Sequence, residues 1–300
     1  MQFIKGIKDE NDNILLSKID SSLFEVKKKS NSLTPLDASS ERMRICFLDL
    51  ETTGTDKKED KIIEIALKCI ELNKSDGSDM NVIDAYESFQ DPNMSIPEDA
   101  TKVNGITDDM VKGQSIDWNV VESIFNTSQL IVAHNASFDR AFMDQSLEVS
   151  KHKIWACSIN DINWDARGFI SFKQETLCIN HGFYYDSHRA MNDIDALIHL
   201  LIHPSYADNK PVAELIINAK QNLCRIDALF SKYEYKDILR KNGYRWYDPN
   251  NGKKDEKCWR KFIHPDDKDS EYLWITKNVY NNQFQGRIVE ITLKDKYKDD

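Results

Sequence analysis

Alternation between apolar runs and polar turns divides the first half of the chain into candidate strands and helices. Apolar runs at 45–48, 62–72 and 82–89 predict three strands, and their close spacing suits antiparallel hairpins. A helical stretch at about 118–127 precedes another apolar run at 130–133, which predicts a parallel strand reached through a crossover. The order of these elements predicts a mixed sheet.

Three further helices are predicted after this parallel strand. The first begins near Ser137, which can cap its N-terminus, and the second covers about 172–180 and ends at Gly182. The third covers about 189–203 and stops at Pro204, and its apolar residues form a stripe with helical spacing. These elements complete one domain.

The same patterns divide the chain into four regions. Residues 1–41 are polar and lack periodicity, which predicts a weakly ordered lead-in to a domain at 42–205. A connecting helix or linker is predicted at 206–224, followed by an α+β module at 225–300. The elements of this module are predicted at 226–230, 236–241, 244–247, 259–263, 270–280 and 288–293. Their order, β-α-β-β-α-β, is typical of the ferredoxin-like arrangement.

Composition limits the class of protein. The 300 residues are 40% hydrophobic and 30% charged, and no apolar run approaches the roughly 20 residues that cross a bilayer. The first 13 residues carry acidic side chains and no apolar core, so they do not predict a secretory signal. Six cysteines without a C-x-x-C pair predict reduced core residues. We therefore expect a soluble cytoplasmic protein.

The net charge of −10 is unevenly distributed. Residues 1–224 carry 23 Lys and Arg against 36 Asp and Glu, whereas residues 225–300 carry 17 against 14. A metal site built from carboxylates produces such an acidic region, because the metal supplies the missing positive charge. The acidity therefore does not exclude a substrate that carries phosphate.

Two carboxylates follow the first predicted strand in R-I-C-F-L-D-L-E-T-T-G. Asp49 and Glu51 are two residues apart, so on an extended strand both project from one face. Although an isolated D-x-E is more often a pair of polar residues at a strand end, four apolar residues precede this one. Carboxylates on a buried strand are costly unless metal or protons neutralise them. Thr53 and Gly54 then predict a tight turn whose backbone N–H groups can approach a ligand.

Two more carboxylates lie on predicted helices. Asp139 precedes Phe142 by three residues and so borders the apolar face that packs on the sheet. The alternative is a solvated aspartate that interacts with the helix dipole. Asp193 lies on the apolar stripe with Leu197, whereas Asp195 is about 200° away around the helix. Asp193 is therefore the better ligand candidate.

Two histidines are candidates for a general base. His188 lies in the segment that leads into the helix carrying Asp193, and a mobile general base is expected in such a segment. His134 ends an apolar strand, which favours a hydrogen-bonded core histidine. Four carboxylates match Mg²⁺ or Mn²⁺, which prefer oxygen ligands. Hydrolysis of a phosphodiester at a two-metal site uses two such ions about 3.5 to 4 Å apart.

The order of three motifs adds a family resemblance: D-L-E-T-T-G, H-N-x-x-F-D and H-R-A-x-x-D. Together they resemble the DEDDh branch of the DnaQ-like exonucleases, the proofreading epsilon-subunit family, over about residues 43–203. The resemblance implies an α/β, RNase H-like fold with a mixed sheet flanked by helices. It implies hydrolysis of nucleotides from the 3′ end of DNA, at single-stranded or mismatched ends, with His188 as base. The two ions are implied to bind Asp49, Glu51, Asp139 and Asp193.

The resemblance also implies contacts to the substrate. The stretch D-P-N-M-S-I-P-E-D-A-T-K-V-N-G-I-T-D-D-M resembles the family segment that holds the terminal nucleotide. The family usually has His-Gly-Ile where this chain has Asn104-Gly105-Ile106. The predicted substrate-binding residues are Leu50, Thr52, Thr53, Gly54, Val103, Asn104, Ile106, Asn135 and Phe138.

Two other functions stay open at this point. An exoribonuclease of the same superfamily has the same metal site, because contacts to the 2′-OH distinguish RNA from DNA. A scaffold without catalysis can use the same fold to bind nucleic acid or a polymerase. All five motif residues are present, which favours an enzyme. Besides the nucleic acid we keep a polymerase or another protein as a candidate partner, although the sequence shows no glutamine-led clamp-binding peptide, and we expect no membrane partner.

The C-terminal module suggests a second hypothesis. Residues 232–261 carry 10 Lys and Arg against 5 Asp and Glu, interleaved with Trp246, Tyr247 and Trp259. If Trp246 and Trp259 lie on neighbouring strands, they can stack on bases while the basic residues contact phosphates. The alternative is that these aromatic residues form the core of a small domain.

Overall fold

The structure is a computed structural model, and its described residues fall into two compact units. The described residues are 11, 13–26, 36–37, 39–249 and 256–298. The first unit is Met1–Ala219 with Tyr297–Asp300, and the second is Lys220–Lys296. The rest of the predicted lead-in, at 1–10, 12, 27–35 and 38, lies outside the described residues.

The first unit is built on a five-stranded mixed sheet. The strands of this unit are β1 (Ser17–Lys18), β2 (Arg42–Thr52), β3 (Ile62–Asn73), β4 (Asn81–Phe89), β5 (Leu130–Ala133), β6 (Trp155–Cys157) and β7 (Phe183–Tyr184). The sheet order is β4-β3-β2-β5-β6, and β1 pairs separately with β7. Strands β2, β3 and β4 are antiparallel neighbours, whereas β5 and β6 run parallel to β2. The predicted mixed sheet is confirmed.

Helices cover both faces of this sheet. They are α1 (Glu98–Asn104), α2 (Asp108–Val111), α3 (Trp118–Thr127), α4 (Ala136–Ser146), α5 (Gln174–Asn180), α6 (Ala190–Leu201) and α7 (Pro211–Ala219). Successive side chains of β2 point to opposite faces, so Ile45 lies in one apolar cluster with Leu197 of α6. Its neighbour Cys46 lies in another cluster, with Met143 of α4. The predicted α/β fold with flanking helices is thus confirmed.

Two details of this unit differ from the prediction. Helix α4 begins at Ala136 with Asn135 as its N-cap residue, in the left-handed conformation at φ 72°, so the predicted cap at Ser137 is wrong. The core extends beyond the predicted 42–205 region, because Phe24 and residues of α7 are buried in it. A single aromatic side chain in a polar segment gives no periodic signal, which is why the pattern did not show Phe24 as a core residue.

The second unit is a small α+β fold. Its elements are β8 (Leu223–Ala228), α8 (Lys236–Lys241), β9 (Arg245–Tyr247), β10 (Cys258–Ile263), α9 (Lys268–Asn278) and β11 (Arg287–Ile291). They form an antiparallel sheet of order β11-β8-β10-β9. The predicted β-α-β-β-α-β order is therefore confirmed, and it is the ferredoxin-like arrangement.

The two tryptophans of this unit lie side by side on neighbouring strands. Trp246 and Trp259 pair in register, and their ring centroids are 5.8 Å apart. Trp259 packs against the apolar cluster that includes Ile226 of β8 and Leu239 of α8. Trp259 therefore helps to build the core of this small unit, as the alternative held, whereas Trp246 is 55% exposed and base stacking stays a prediction.

The predictions about the cysteines and about membrane-spanning segments can be compared with the described residues. All six cysteines are free and buried, as expected for reduced core residues. Burial raises the pKa of the Cys46 and Cys178 thiols well above their usual range, which suppresses the reactive thiolate. Within the described ranges, every helix is too short or too polar to cross a membrane.

Candidate active site

Strand β2 and helix α6 bring three of the predicted carboxylates together. Asp49 and Glu51 lie near the C-terminal end of β2, and Asp193 lies in the first turn of α6. One oxygen from each carboxylate lies within 4.8 Å of the others. The two-residue spacing places the first pair on the face that α6 covers, because alternate residues of a strand share a face.

Asp139, the fourth predicted carboxylate, lies outside this group of three. It belongs to the first turn of α4 and is almost fully buried, at 2% exposure. Its carboxylate accepts hydrogen bonds from its own backbone N–H and from that of Leu50, which lies between Asp49 and Glu51. The negative charge of Asp139 helps to raise the pKa of Asp49. Asp139 is thus tied to the segment of β2 that carries the other two carboxylates.

Both carboxylate oxygens of Asp193 are held by hydrogen bonds. The Tyr185 hydroxyl donates to Oδ1 at 2.8 Å, and the Arg189 backbone N–H donates to Oδ2 at 3.2 Å. Gln174 on α5 donates from Nε2 to the Tyr185 hydroxyl at 3.0 Å and to the Asp193 carbonyl at 2.8 Å. Tyr185 and Gln174 therefore fix the orientation of a predicted metal ligand.

His188 lies just before α6 and is exposed. Its backbone has φ 65°, a left-handed conformation that costs an ordinary residue of order 1 kcal/mol. The following residue, Arg189, binds the buried Glu64 of β3 at 2.8 Å, and the Ala190 backbone N–H donates to the same carboxylate at 3.1 Å. Glu64 thus anchors the residues that follow His188. The imidazole lies within electrostatic range of the Asp193 carboxylate, which also accepts a hydrogen bond from the His188 backbone N–H.

The carboxylates have raised pKa values because they lie close together and are at least partly buried. Burial, followed by the charges of Asp193 and Asp139, raises the pKa of Asp49 well above its usual range. Burial and the charges of Asp193 and Glu64 raise the pKa of Glu51 to about 7. Burial also raises the pKa of Asp139 and of Asp193. A bound cation would remove this repulsion, because it neutralises the carboxylates.

The oxygen donors fit a hard divalent cation. Carboxylate oxygens are the ligands that Mg²⁺ and Mn²⁺ prefer, and the group at the end of β2 offers three of them within one small volume. The fit is supported by the electrostatics above, since buried like charges are unfavourable without a counterion. Asp49, Glu51 and Asp193 are therefore the residues best placed to hold a metal ion.

Asn104 is buried beside Glu51. Its side chain hydrogen-bonds to the Glu51 carboxylate, which opposes the rise in the pKa of that group. Its Oδ1 accepts the backbone N–H of Ile106 at 3.0 Å. Gly105, between them, has φ 72° and ends α1, a conformation that glycine adopts without strain. This segment therefore orients Glu51, beyond the substrate contact predicted for Asn104.

The turn after β2 holds several of the predicted substrate-binding residues. Thr53 donates its hydroxyl to Asp60 at 2.8 Å, and its own Oγ1 accepts the backbone N–H of Lys61 at 3.0 Å. The Asp60 carboxylate occupies the space that a side chain at Gly54 would need. Thr52 closes the turn by donating to the Gly54 carbonyl at 2.6 Å. These hydrogen bonds brace the turn, and a larger residue at position 54 would displace the Asp60 carboxylate.

The other predicted substrate contacts differ in exposure. Val103 is 58% exposed, whereas Ile106 is fully buried, so Ile106 offers a ligand only its backbone. Leu50 is buried in the sheet at 5% exposure. Asn135 is exposed, and Phe138 is partly buried against Phe142, with ring centroids 5.2 Å apart. The role of these residues in binding stays a prediction.

The surroundings of His134, the other candidate for the base, indicate a structural role. Its Nδ1 is 2.7 Å from the Ser158 hydroxyl, in a hydrogen bond. Burial lowers its pKa to about 4, so the ring stays neutral and weakly basic near pH 7. A general base works best when its pKa lies near the working pH, which argues against His134 in that role.

Comparison with known proteins identifies the family. The family model RNase_T, described as exonuclease, matches residues 46–201, which is more than half of the chain. The chain therefore belongs to this exonuclease family, and the predicted DnaQ-like class of phosphodiester hydrolase is confirmed. Enzymes of this family are metal-dependent, which agrees with the acidic cluster.

The chain aligns with only part of each individual relative. The chain is 38% identical over 101 residues to the DNA polymerase III PolC-type protein of Clostridium perfringens, which is 33% of this chain and 6% of that protein. It is 28% identical over 162 residues to the DNA polymerase III subunit epsilon of Treponema pallidum, which is 51% of this chain and 72% of that protein. Among solved structures, a zinc-bound E. coli ExoI–ssDNA complex is 16% identical, with a TM-score of 0.49 over 78% of this chain and 71% of that chain.

Several residues that shape the site were missed by sequence reasoning. Tyr185 and Gln174 come from a loop and a helix that carry no motif, and no spacing rule connects them to Asp193. Glu64 does leave a signal, because it is an acid with apolar residues on both sides within β3. A buried acid on a central strand needs a partner, and here the partner is Arg189.

Proposed function

We propose that this exonuclease removes nucleotides from the 3′ end of DNA, at single-stranded or mismatched ends, by a two-metal mechanism. The observation that carries the proposal is the group formed by Asp49, Glu51 and Asp193, with oxygens within 4.8 Å of one another and the exposed His188 beside it. Such a group suits hydrolysis of a phosphodiester, whose charge repels carboxylates unless cations lie between them.

Each residue of the site has a proposed role. The four carboxylates, Asp49, Glu51, Asp139 and Asp193, would hold two Mg²⁺ or Mn²⁺ ions. Bound there, the ions supply an activated water and stabilise the leaving oxygen. His188 accepts the proton of the attacking water, for which its exposed position next to Asp193 leaves room.

The substrate contacts form the remaining part of the proposal. The turn at Thr52, Thr53 and Gly54 presents backbone groups beside the carboxylates, and the exposed Val103 suits contact with the terminal base. The other proposed substrate-binding residues are Leu50, Asn104, Ile106, Asn135 and Phe138.

A turnover assay with end-labelled strands tests the activity and its direction. A 5′-labelled single strand, a labelled duplex with a 3′ mismatch and a labelled RNA are incubated with Mg²⁺ or Mn²⁺. A ladder of shortened, still labelled DNA products is expected, because removal from the 3′ end leaves the label in place. Immediate release of labelled mononucleotide would contradict the proposed direction, and faster cleavage of RNA would contradict the proposed substrate.

A partner and a location complete the proposal. Association with a DNA polymerase is supported by the names of the relatives and tested by co-elution of the purified chain with the polymerase of its own organism. A cytoplasmic location is supported by the nucleic-acid substrate that this class of enzyme hydrolyses.

A further inference from the structure

One face of the sheet in the second unit carries four arginines. Residues on neighbouring strands that lie in register share a face, and Arg260 is in register with both Asp227 and Arg245. Arg287 is also in register with Asp227, and Arg225 lies two residues before Asp227 on the same strand. We name this surface the arginine face: Arg225, Arg245, Tyr247, Arg260, Phe262 and Arg287.

The opposite face of the sheet is covered by the two helices. Ile226 of β8 packs there with Leu239 of α8 and Ile275 of α9. The lysines on that side are paired with acids: Lys261 with Glu271 at 2.6 Å and Lys268 with Glu290 at 3.1 Å. These two lysines on the helical side therefore each have an acidic partner.

On the arginine face, Asp227 is the acid that the described strands contribute. Asp227 is fully buried, and its carboxylate binds Arg260 at 2.7 Å, Arg287 at 2.7 Å and Arg225 at 3.3 Å. Among the charged residues that the described strands place on this face, four are thus arginines and one is an acid. A fixed surplus of positive charge attracts an anionic ligand, and arginine in particular suits phosphate geometry.

Charged and aromatic side chains are both exposed on the arginine face. The Arg287 side chain is 51% exposed, Phe262 is 53% exposed, and Arg245 is exposed as well. Phe262 lies on β10, an inner strand of the sheet, in register with Arg225, so its exposed ring stands among the arginines. The Arg260 guanidinium lies 3.5 Å from the centre of the Tyr247 ring, in a cation–π contact between neighbouring side chains of this face.

We propose that the arginine face is a second binding surface for the single-stranded polynucleotide that the enzyme degrades. Arg245 and Arg287 contact phosphodiesters, and Phe262 stacks on a base. The identity of the ligand rests on the proposed function, whereas the surplus charge and the exposed aromatic ring do not depend on it. Two linked surfaces bind a long strand more tightly than a short one, because the second contact forms within the same complex.

Binding of labelled oligonucleotides to the full chain tests this proposal. Fluorescence anisotropy is measured in a chelator, so that no cleavage occurs, with oligothymidylates of 5 and 30 nucleotides at two salt concentrations. The double variant Arg245→Gln/Arg287→Gln is compared with Lys241→Gln/Lys277→Gln, which removes the same charge from exposed positions on the two helices. The arginine variant is expected to bind the long strand roughly tenfold more weakly and to lower the salt slope by about 1.4, since each lost phosphate contact on a single strand accounts for about 0.7.

Several comparisons make the result decisive. The short strand is expected to bind equally to all variants, and Phe262→Ala to weaken binding of the long strand with an unchanged salt slope. If Arg287→Gln lowers thermal stability, Arg245→Gln alone is expected to show about half of the change in salt slope. An RNA strand measured in parallel identifies which backbone the surface prefers. Parental affinity and slope in the arginine variant, or an equal loss in the lysine control, would overturn the proposal.

Cleavage distinguishes this proposal from the proposed function. The arginine variant is expected to cleave a saturating 5-nucleotide strand at the parental rate. If the parental chain cleaves no strand at all but the long oligonucleotide still binds through the arginine face, the proposed function fails and the binding surface stands. If the parental chain cleaves DNA but the arginine variant binds as the parent does, the proposed function stands and the binding surface fails.

Discussion

Glu51, a proposed metal ligand, reduces the stability of the fold as the pH rises. Its pKa rises to about 7 in the folded state, whereas the usual value is 4.5. The folded state therefore binds a proton more tightly than the unfolded state across this range. The stability that this proton contributes is present below about pH 4.5 and is lost as the pH rises through about 7.

The first prediction separates the catalytic and structural effects of these carboxylates. Asp49→Ala and Glu51→Ala are each expected to reduce cleavage by roughly 10³-fold or more while the fold persists, because each removes a proposed metal ligand. In a chelator at pH 8, Glu51→Gln is expected to melt at a higher temperature than the parent, and the difference should disappear towards pH 4.5. Purified variants that retain near-parental nuclease activity would disprove the assignment of the ligands.

The second prediction distinguishes the two histidines. His188→Ala is expected to lower the rate of cleavage by about 10²- to 10⁴-fold with metal binding largely kept, which is the usual effect of losing a general base. His134→Ala is expected to act through stability, at a cost of about 1 kcal/mol, because it removes the hydrogen bond to Ser158. Single-turnover cleavage and thermal melts are compared for both variants. A reversed ranking of the two rates in folded proteins would make His134 the base.

At the scale of elements, the site depends on how the first turn of α6 is held. Tyr185 and Gln174 connect this turn to α5, and Glu64 connects the residues before it to β3. These contacts join segments that are far apart in the sequence. They place Asp193 against Asp49 and Glu51 before any ion binds, which lowers the cost of assembling the site.

The third prediction tests this orientation of Asp193. Tyr185→Phe removes the hydroxyl that donates to Oδ1 but keeps the ring, so the chain is expected to fold with a loss of about 1 kcal/mol. The Mg²⁺ concentration needed for half-maximal activity is expected to rise about tenfold, the lower end of the usual effect of a residue that orients a metal ligand. Tyr184→Phe, at the exposed neighbouring position, is the control. An unchanged Mg²⁺ requirement in Tyr185→Phe would show that the hydrogen bond does not position Asp193.

The elements also show what local patterns determine. The limits of α3, β5 and α8 agree with the predicted ones, because each has a clear apolar period or a clear end signal. The three-residue strand β6 and the short helix α1 were not predicted, since such short segments hold too few residues to show a period. Asp49 and Glu51 were found because a two-residue spacing is local, whereas Tyr185 acts on Asp193 through tertiary packing that no local pattern encodes.

At the scale of the whole molecule, the boundary between the two units is crossed twice. The chain leaves the first unit after Ala219 and returns to it at Tyr297. Tyr297 packs against the apolar cluster that contains Trp155 and Phe125, and its hydroxyl hydrogen-bonds to Asp161. A chain truncated after about Asn222 would therefore lose part of the first unit's core together with the arginine face.

The last prediction concerns this returning segment. Tyr297→Ala in the full chain is expected to destabilise the first unit by about 2 kcal/mol, because it removes a large side chain from a packed cluster. Lys298→Ala, at the exposed neighbouring position, is expected to change stability by less than about 0.5 kcal/mol. Hydrogen exchange of the β2 and β5 amides, together with thermal unfolding, measures the effect in the first unit. Cleavage of a saturating short strand should persist below the lowered melting temperature. Parental exchange rates in Tyr297→Ala would mean that the first unit is stable without this residue, and truncation would then isolate the contribution of the second unit.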